Sequence, residues 1–376
     1  MKYADYPTFH EIASPRPWAD LSKEKQATAL QLSLRQKSGE PFWFNLTPGL
    51  LKLLSQVDEF QGYFKLRPTS RVRSTAQETV GLKAEAYHSS RIEGAVTSLE
   101  LAFKAMDSGQ KSFPDESLQM IQNNKRGIAY LWQNSKKAIS HKLICRLHEI
   151  LVYHTHLDRP ITVGAYRQGS IYVVDGYGRV IYEGPPARHV PKMMDAFVEW
   201  ANHAHPGVHP FLKSAIAHYY FVHVHPFDDG NGRSTRALAN LLLFKDGYAL
   251  TKLIAPSMYI ERHRSAYYQS LQDVRAHFGD LTYFLIYIAE AFVSELGRVK
   301  SELEKPSAAG VAADLNPRQV KALRYMQRQC LPMTTRLYVK LNRCSDEIAR
   351  RDFNRLLAQG VLKAEGEGRS RRYRLA

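Results

Sequence analysis

Cysteine is scarce in this 376-residue chain, with only Cys145, Cys330 and Cys344 present. Three scattered thiols cannot build a disulfide framework or a cysteine-rich zinc site, and their scarcity points to a reducing compartment. Long hydrophobic runs are lacking as well. The longest strongly apolar stretch, Leu281 to Ala289, is closed off by Asp280 and Glu290 and falls far short of the roughly 20 residues that a spanning helix needs. No membrane segment is expected. The N-terminal MKYADYPTFHEIASPRPW has no apolar run behind its one lysine, which predicts no secretory leader and a cytoplasmic protein. Negative charge is also in short supply, since 36 Asp and Glu face 52 Lys and Arg for a net charge of +16. What is present is ordinary globular material: 44% hydrophobic and 11% aromatic residues exclude wholesale disorder. The length suggests two or three domains.

The positive excess is concentrated near the end of the chain. From Leu315 to Ala376 there are 15 basic and 5 acidic residues, the electrostatic footprint expected of a polyanion-binding module. Before that, the pattern is mainly helical. A helix is predicted over Leu21 to Gln36, opened by Asp20 as a possible N-cap. Helix formers fill Arg71 to His88, and amphipathic stretches follow near Ser98, over Leu118 to Trp132 and over His141 to Tyr153. The exception is GSIYVVDGYGRVIYEGPP at 169–186, where β-branched and aromatic residues flank a turn signal at Asp175 to Gly178. It predicts a β-hairpin. Helices resume over Pro191 to Ala204, Pro210 to Val224, Arg233 to Phe244 and Leu281 to Val299. The small, polar stretch 301–316 reads as a linker.

The stretch most suggestive of chemistry is His225-Pro226-Phe227-Asp228-Asp229-Gly230-Asn231-Gly232-Arg233-Ser234-Thr235-Arg236, set between two helical segments. Gly230 and Gly232 permit dihedrals that turn successive N–H groups inward, and the following helix adds its positive dipole end, so the loop suits an anion. Arg233 and Arg236 stand three apart and can both reach a polyphosphate. Asp229 offers a hard oxygen for magnesium, and His225, titrating near neutrality, suits a general base. Calcium is a poor fit because the EF-hand glycine and distal glutamate are missing, and His218, His223 and His225 lack a zinc-ligand spacing.

The whole string resembles the signature of the Fic family, His-x-Phe-x-Asp/Glu-Gly-Asn-Gly-Arg-x-x-Arg, with every specified position filled. The resemblance implies a mainly α fold, a Fic-type helical core with a β-hairpin flap, that transfers AMP from Mg-ATP to a Tyr, Thr or Ser hydroxyl of a target protein. By the same resemblance His225 is the catalytic base and Asp229 the magnesium ligand. Gly230, Asn231 and Gly232 cradle ATP, Arg233 and Arg236 contact its β- and γ-phosphates, and Phe227 packs into the core. Gly164-Ala165-Tyr166-Arg167 looks like the family's Gly-x-x-Arg before the flap, and Ile181, Tyr182 and Glu183 of the hairpin would dock the target by strand pairing. Tyr267, in a stretch similar to the family's trailing helices, would line the adenine pocket. Ser89-x-x-x-Glu93-Gly94 resembles the inhibitory motif of the N-terminally inhibited class, in which Glu93 would pair with Arg236 and displace the γ-phosphate.

From Asn316 the pattern reads as three helices, Arg318 to Gln329, Thr335 to Leu341 and Ser345 to Ala358, followed by strands Val361 to Ala364 and Arg371 to Leu375. That is the winged-helix order. Arg350, Arg351, Asn354 and Arg355 on the third helix, with Arg369, Arg371, Arg372 and Arg374 on the wing, suggest DNA binding, while protein docking or dimerisation is the alternative. The resulting division is an N-terminal helical region at 1–65, a Fic core at 66–300 with an inhibitory helix at 71–94, a linker at 301–316 and a winged-helix domain at 317–376. The function expected first is an autoinhibited protein adenylyltransferase whose partners are ATP, an unidentified protein target, possible DNA and a possible second copy of itself. The alternatives are a DNA-binding regulator with a nucleotide-sensing core and a hydrolase that removes AMP, with Glu93 activating water.

Overall fold

Two separate clusters of buried apolar side chains organise the chain, one running from Leu32 to Leu303 and a smaller one from Ala322 to Tyr373. The computed structural model describes residues 18–66, 71–155, 160–174, 178–304, 315–329, 331–358, 361–366, 368 and 371–375. The larger cluster is helical. Helices α1 (Trp18–Ala27) and α2 (Pro48–Leu66) precede α3 (Arg71–Ile92), α4 (Leu99–Asp107), α5 (Glu116–Gln133) and α6 (His141–Leu151). After an antiparallel strand pair come α7 (Val190–Asn202), α8 (Pro210–Val224), α9 (Asn231–Lys245), α10 (Pro256–Arg262), α11 (Arg264–Ala276) and α12 (Thr282–Glu304). No helix among the described residues is long and apolar enough to cross a membrane.

The central pair is α8 and α9. Every residue of α8 from Phe211 to Val224 is buried, so this helix is wrapped on all sides rather than on one stripe. That explains its weak amphipathic pattern. Pro210 opens it at a position where a missing N–H is harmless, with the His209 ring accepting from Phe211 N–H. Helix α9 packs along it and buries Arg233, Ser234, Thr235 and Arg236 in its first turns. The short connection between these two helices is the 225–230 loop, and it is thus held at both ends by the best-buried elements of the fold.

One sequence expectation fails at the N-terminal side. The helix predicted over Leu21 to Gln36 stops at Ala27, and Leu30–Arg35 is instead β1, paired antiparallel with β2 (Pro41–Phe44). The reason is a period of two. Leu32 and Leu34 are buried while Gln31, Ser33 and Arg35 are exposed, and the helical pattern before Ala27 masked this change of repeat. The hairpin is tied to the core by Trp43, whose backbone N–H donates to Gly279 O (3.2 Å) and whose carbonyl accepts from Leu281 N–H (2.8 Å).

The 169–186 segment contains β3 (Tyr172–Val174) paired antiparallel with β4 (Val180–Glu183). Residues 175–177 of the expected turn lie outside the described residues, as do 1–17, Cys330 and Arg369. The expected linker begins later than 301, because α12 runs to Glu304, and 305–314 lie outside the description. Beyond it stand α13 (Pro317–Gln329), α14 (Thr335–Asn342) and α15 (Asp346–Ala358), then β5 (Leu362–Glu365) and β6 (Arg372–Leu375), paired antiparallel. Asp352 locks the three helices together, accepting from Asn316 (2.6 Å), Arg318 (3.0 Å) and the Tyr338 hydroxyl (2.8 Å). These donors outweigh burial and hold its carboxyl below the usual range.

Candidate active site

The chain leaves α8 through His225 in the left-handed conformation (φ 49°, ψ 60°), uncommon for a residue with a Cβ. Arg167 holds it there. This buried guanidinium donates from Nε to His225 O (2.7 Å), from Nη1 to Gly169 O (2.7 Å) and from Nη2 to Pro185 O (2.6 Å). One side chain thereby fastens the start of the loop to both ends of the β3–β4 segment. The His225 ring is half-buried, and its Nδ1–H donates to Val222 O at 3.2 Å. Nε2 is therefore the free base of the neutral ring. Burial lowers the His225 pKa to about 4, with Arg167 and Arg275 adding to the effect against Val222 and Glu93.

The interior of the loop is closed by Asn231. Its Nδ2 donates to Phe227 O (2.7 Å) and its Oδ1 accepts from Phe227 N–H (2.9 Å), so the amide is wholly used in bracing the backbone. Phe227 is fully buried, as expected, and stacks on His148 with centroids 3.9 Å apart and planes 2° apart. His148 was missed from the sequence. Its Nε2–H donates to Asp229 O (3.1 Å), and its Nδ1 accepts from Gly164 N–H (3.0 Å). Burial holds its pKa at about 4, which keeps that acceptor available. A signal existed: a histidine on the same helical face as Ile144 and Leu151 is a polar group in an apolar stripe, and such a group needs partners.

The charged residues divide into two pairs. Asp229 accepts from Arg233 Nη2 at 2.6 Å, and Arg233 also donates to Leu151 O (2.9 Å) while remaining 1% exposed. Asp229 stays partly open, its side chain 27% exposed. Arg236 donates from Nε to Ser89 Oγ (2.8 Å) and from Nη2 to both Ser89 O (2.9 Å) and Glu93 Oε1 (2.8 Å). Burial works against the Arg236 charge, and the nearby Glu93, Tyr267 and Glu85 more than restore it. Glu93 itself stands just past the end of α3, not within a helix reaching 94. Its N–H donates to Ser90 O (3.1 Å), and Gly94 turns the chain away at φ 101°.

Gly232 shows how tightly these parts meet. A Cβ there would lie 2.1 Å from Glu93 Oε1 and 3.1 Å from Arg236 Nη1. The carboxylate is thus laid directly on the glycine that opens α9. Gly230, the N-cap of α9, sits at φ 75°, a value that an L-residue resists. Together the structure brings His225, Asp229, Gly230, Asn231, Gly232, Arg233, Arg236, Ser89 and Glu93 into one neighbourhood.

Tyr267 is the residue expected to line an adenine pocket. It lies 2% exposed inside the core, where its hydroxyl meets His218 Nε2 at 2.9 Å. It is close enough to Arg236 to support its charge, and the adjacent half-buried Tyr268 is the more exposed of the two rings. The expected docking residues of the hairpin face two ways. Tyr182 points inward, its hydroxyl donating to His223 O and its ring covered by Arg275 at 3.6 Å, whereas Ile181 is half-buried and Glu183 exposed. Alternation along β4 makes that inevitable. Among the described residues no three His, Cys, Asp or Glu cluster to hold a metal.

The Fic/DOC family model matches residues 138–243, which span α6 to α9 and the loop between them. Among curated relatives, the protein adenylyltransferase Fic of Drosophila virilis is 32% identical over 209 residues, covering 54% of this chain and 40% of the relative. That of Nematostella vectensis is 29% identical over 211 residues, covering 54% of this chain and 45% of the relative. The chain thus spans less than half the length of these relatives. A crystal structure of a Fic family protein from Desulfovibrio desulfuricans G20 superposes with a TM-score of 0.59 at 20% identity, covering 89% of this chain and 97% of that one. Fic-1 (residues 134–508) of C. elegans superposes at 0.52 with 25% identity, covering 68% and 73%. The class is therefore a helical protein with the Fic fold. Its residues 138–243 are similar to the Fic/DOC family.

Proposed function

We propose that the chain is a protein adenylyltransferase that moves AMP from ATP to a Tyr, Thr or Ser hydroxyl of a target protein, itself included, and that Glu93 restrains it at rest. The carrying observation is the Glu93–Arg236 pair laid across Gly232, beside a histidine whose Nε2 is a free base. The target hydroxyl gives its proton to His225 Nε2 as its oxygen bonds to the α-phosphorus, and the bond to the β-phosphate oxygen breaks to release pyrophosphate. A ring with a pKa near 4 is a weak base but is almost wholly unprotonated at neutral pH, so none of its population is lost to protonation. The inward N–H groups at the start of α9 bind the phosphates, and Arg236 binds the terminal one once Glu93 has moved.

The residues fit magnesium in one limited way. Mg2+ keeps most of its shell as water and phosphate oxygen and needs only one or two carboxylates, and Asp229 at the loop retains exposure, its side chain 27% exposed. Bound there, magnesium would neutralise phosphate charge. The exposed face of β3–β4, with Ile181 and Glu183 outward, is the docking edge for the target segment.

For 317–376 the reading is a winged-helix module that binds duplex DNA in the cytoplasm. Arg350, Arg351, Asn354 and Arg355 are all exposed on α15, and Arg371 and Arg372 are exposed on the hairpin. Dimerisation through this module is the alternative use.

Intact-mass spectrometry of the Glu93→Gly protein with Mg-ATP tests the function. A gain of one AMP mass on the enzyme is expected. Hydrolysis of ATP without a covalent adduct on the enzyme or on any added protein would overturn it.

A further inference from the structure

The turn that carries Glu93 is gripped from a second side, by residues that the reaction does not use. On α3, Ser89 faces Arg236, while His88 and Arg91, three apart, face α10. There Glu261 receives both of them: Oε2 lies 2.5 Å from His88 Nδ1 and Oε1 lies 2.9 Å from Arg91 Nε. Arg91 then reaches forward, its Nη1 donating to Ala95 O at 3.1 Å. The segment from 91 to 95 is thus bridged end to end by one guanidinium, and that guanidinium is anchored by one carboxylate. Glu93 is in the middle of the bridged segment.

The anchor is rigid. Glu85, one helical turn before Ser89, accepts from both the backbone N–H and the hydroxyl of Ser257 at the start of α10. At its other end α10 passes into α11 at His263, and α11 carries Tyr267, which supports the Arg236 charge. The same corner of the fold therefore locates both partners of the Glu93–Arg236 pair.

We propose that Glu261 is a positioning residue for the inhibitory contact: by holding His88 and Arg91 it fixes the 91–95 turn where Glu93 meets Arg236, and its loss releases Glu93. The inference rests on the adenylyltransferase reading of the site. Burial differs along the bridge in a useful way, since the side chains of Glu261 and Arg91 are 22% and 34% exposed while that of Arg236 is 3% exposed. The grip can be loosened from the surface without disturbing the phosphate-binding residues.

The test compares self-modification of full-length protein by α-labelled ATP in four forms: wild type, Glu93→Gly, Glu261→Gln and the double variant. Glu261→Gln should raise labelling severalfold over wild type, yet add nothing to Glu93→Gly, because no restrained carboxylate remains to release. Glu261→Asp should stay close to wild type, since a shortened carboxylate can still take Arg91. Arg91→Gln, a change at a partly exposed site, should behave as Glu261→Gln does. Hydrogen exchange of amides 91–95 should quicken in both Gln variants while α8 and α9 keep their protection. A Glu261→Gln protein as silent as wild type beside an active Glu93→Gly protein would overturn the positioning role alone. The same factor in both Glu93 backgrounds would also overturn it, as a general structural effect. A silent Glu93→Gly protein would remove the adenylyltransferase reading and this inference with it.

Discussion

Arginine is used in opposite ways in two regions of this molecule. At the 225–236 loop, Arg233 and Arg236 are buried to 1% and 4% exposure and each donates to protein partners. In the 317–375 region, Arg350, Arg351, Arg355, Arg371 and Arg372 stand in solvent, and the surface pair of Arg351 with Glu347 is stretched to 3.5 Å. A buried arginine is fixed by what surrounds it and recognises a group of defined shape, whereas an exposed one contributes to a field that any polyanion feels. The first region should thus be sensitive to single substitutions, the second to salt.

The largest expected effect lies at His225. In the Glu93→Gly background, His225→Ala should reduce transfer by roughly a hundredfold or more, the range in which a positioned base acts, while ATP binding by calorimetry persists. Undiminished label transfer would mean that another group takes the proton. Next comes Glu93→Gly alone, which should raise self-modification by about tenfold or more, since an arginine–carboxylate pair is among the stronger charge-assisted contacts. Equal rates for the variant and the wild type, with a target protein present, would remove the restraint from the comparison.

Acid should separate the two regions by stability. Burial depresses the pKa of His148 and His225 to about 4 and of His218 and His223 to about 3. Their unfolded forms take up a proton near pH 6.5, so the stability they contribute is complete above that pH and is lost as pH falls from about 6.5 toward 4. Residues 317–376 contain no histidine. Differential scanning calorimetry between pH 7 and 5 should show the Tm of the helical core dropping by several degrees while any transition of the C-terminal region moves little. Parallel shifts would indicate that the two melt as one unit.

The smallest effect concerns the exposed arginines. If the full chain binds duplex DNA, affinity should fall steeply with salt, and Arg371→Ala with Arg372→Ala should flatten the slope of log K against log salt by about 1 to 2. Fluorescence anisotropy with a labelled duplex reads this directly. No binding even at low salt would reassign the module to docking or dimerisation.

What could be read from the sequence was whatever depends on local rules. The ends of α8 at Pro210 and Val224 matched because a proline opens the helix and a left-handed residue closes it. The loop was legible because glycine spacing and arginine spacing act over a few residues. The β1–β2 pair was not, since its strand pattern sits directly behind a helical one and its anchor, Trp43 to Gly279, is far away in the chain. Tyr267 and Tyr268 illustrate the same limit. Both are aromatic, and only packing against His218 decides which one is hidden. Arg167 was noticed for its spacing, but its role in holding the His225 carbonyl depends on three backbone segments converging on it.

The 2.1 Å separation between a Cβ built at Gly232 and the Glu93 carboxylate bears on how this protein could change over generations. A side chain at 232 would push the Glu93 carboxylate aside, and on the proposed function it would also stand where the phosphates are to bind. On the proposed function, deregulation through the loop would therefore be self-cancelling, because the altered chain would lose its brake and its room for ATP together. On the same reading, release of the brake with ATP binding intact is expected from changes on the α3 side, at position 93 or at the residues that hold it.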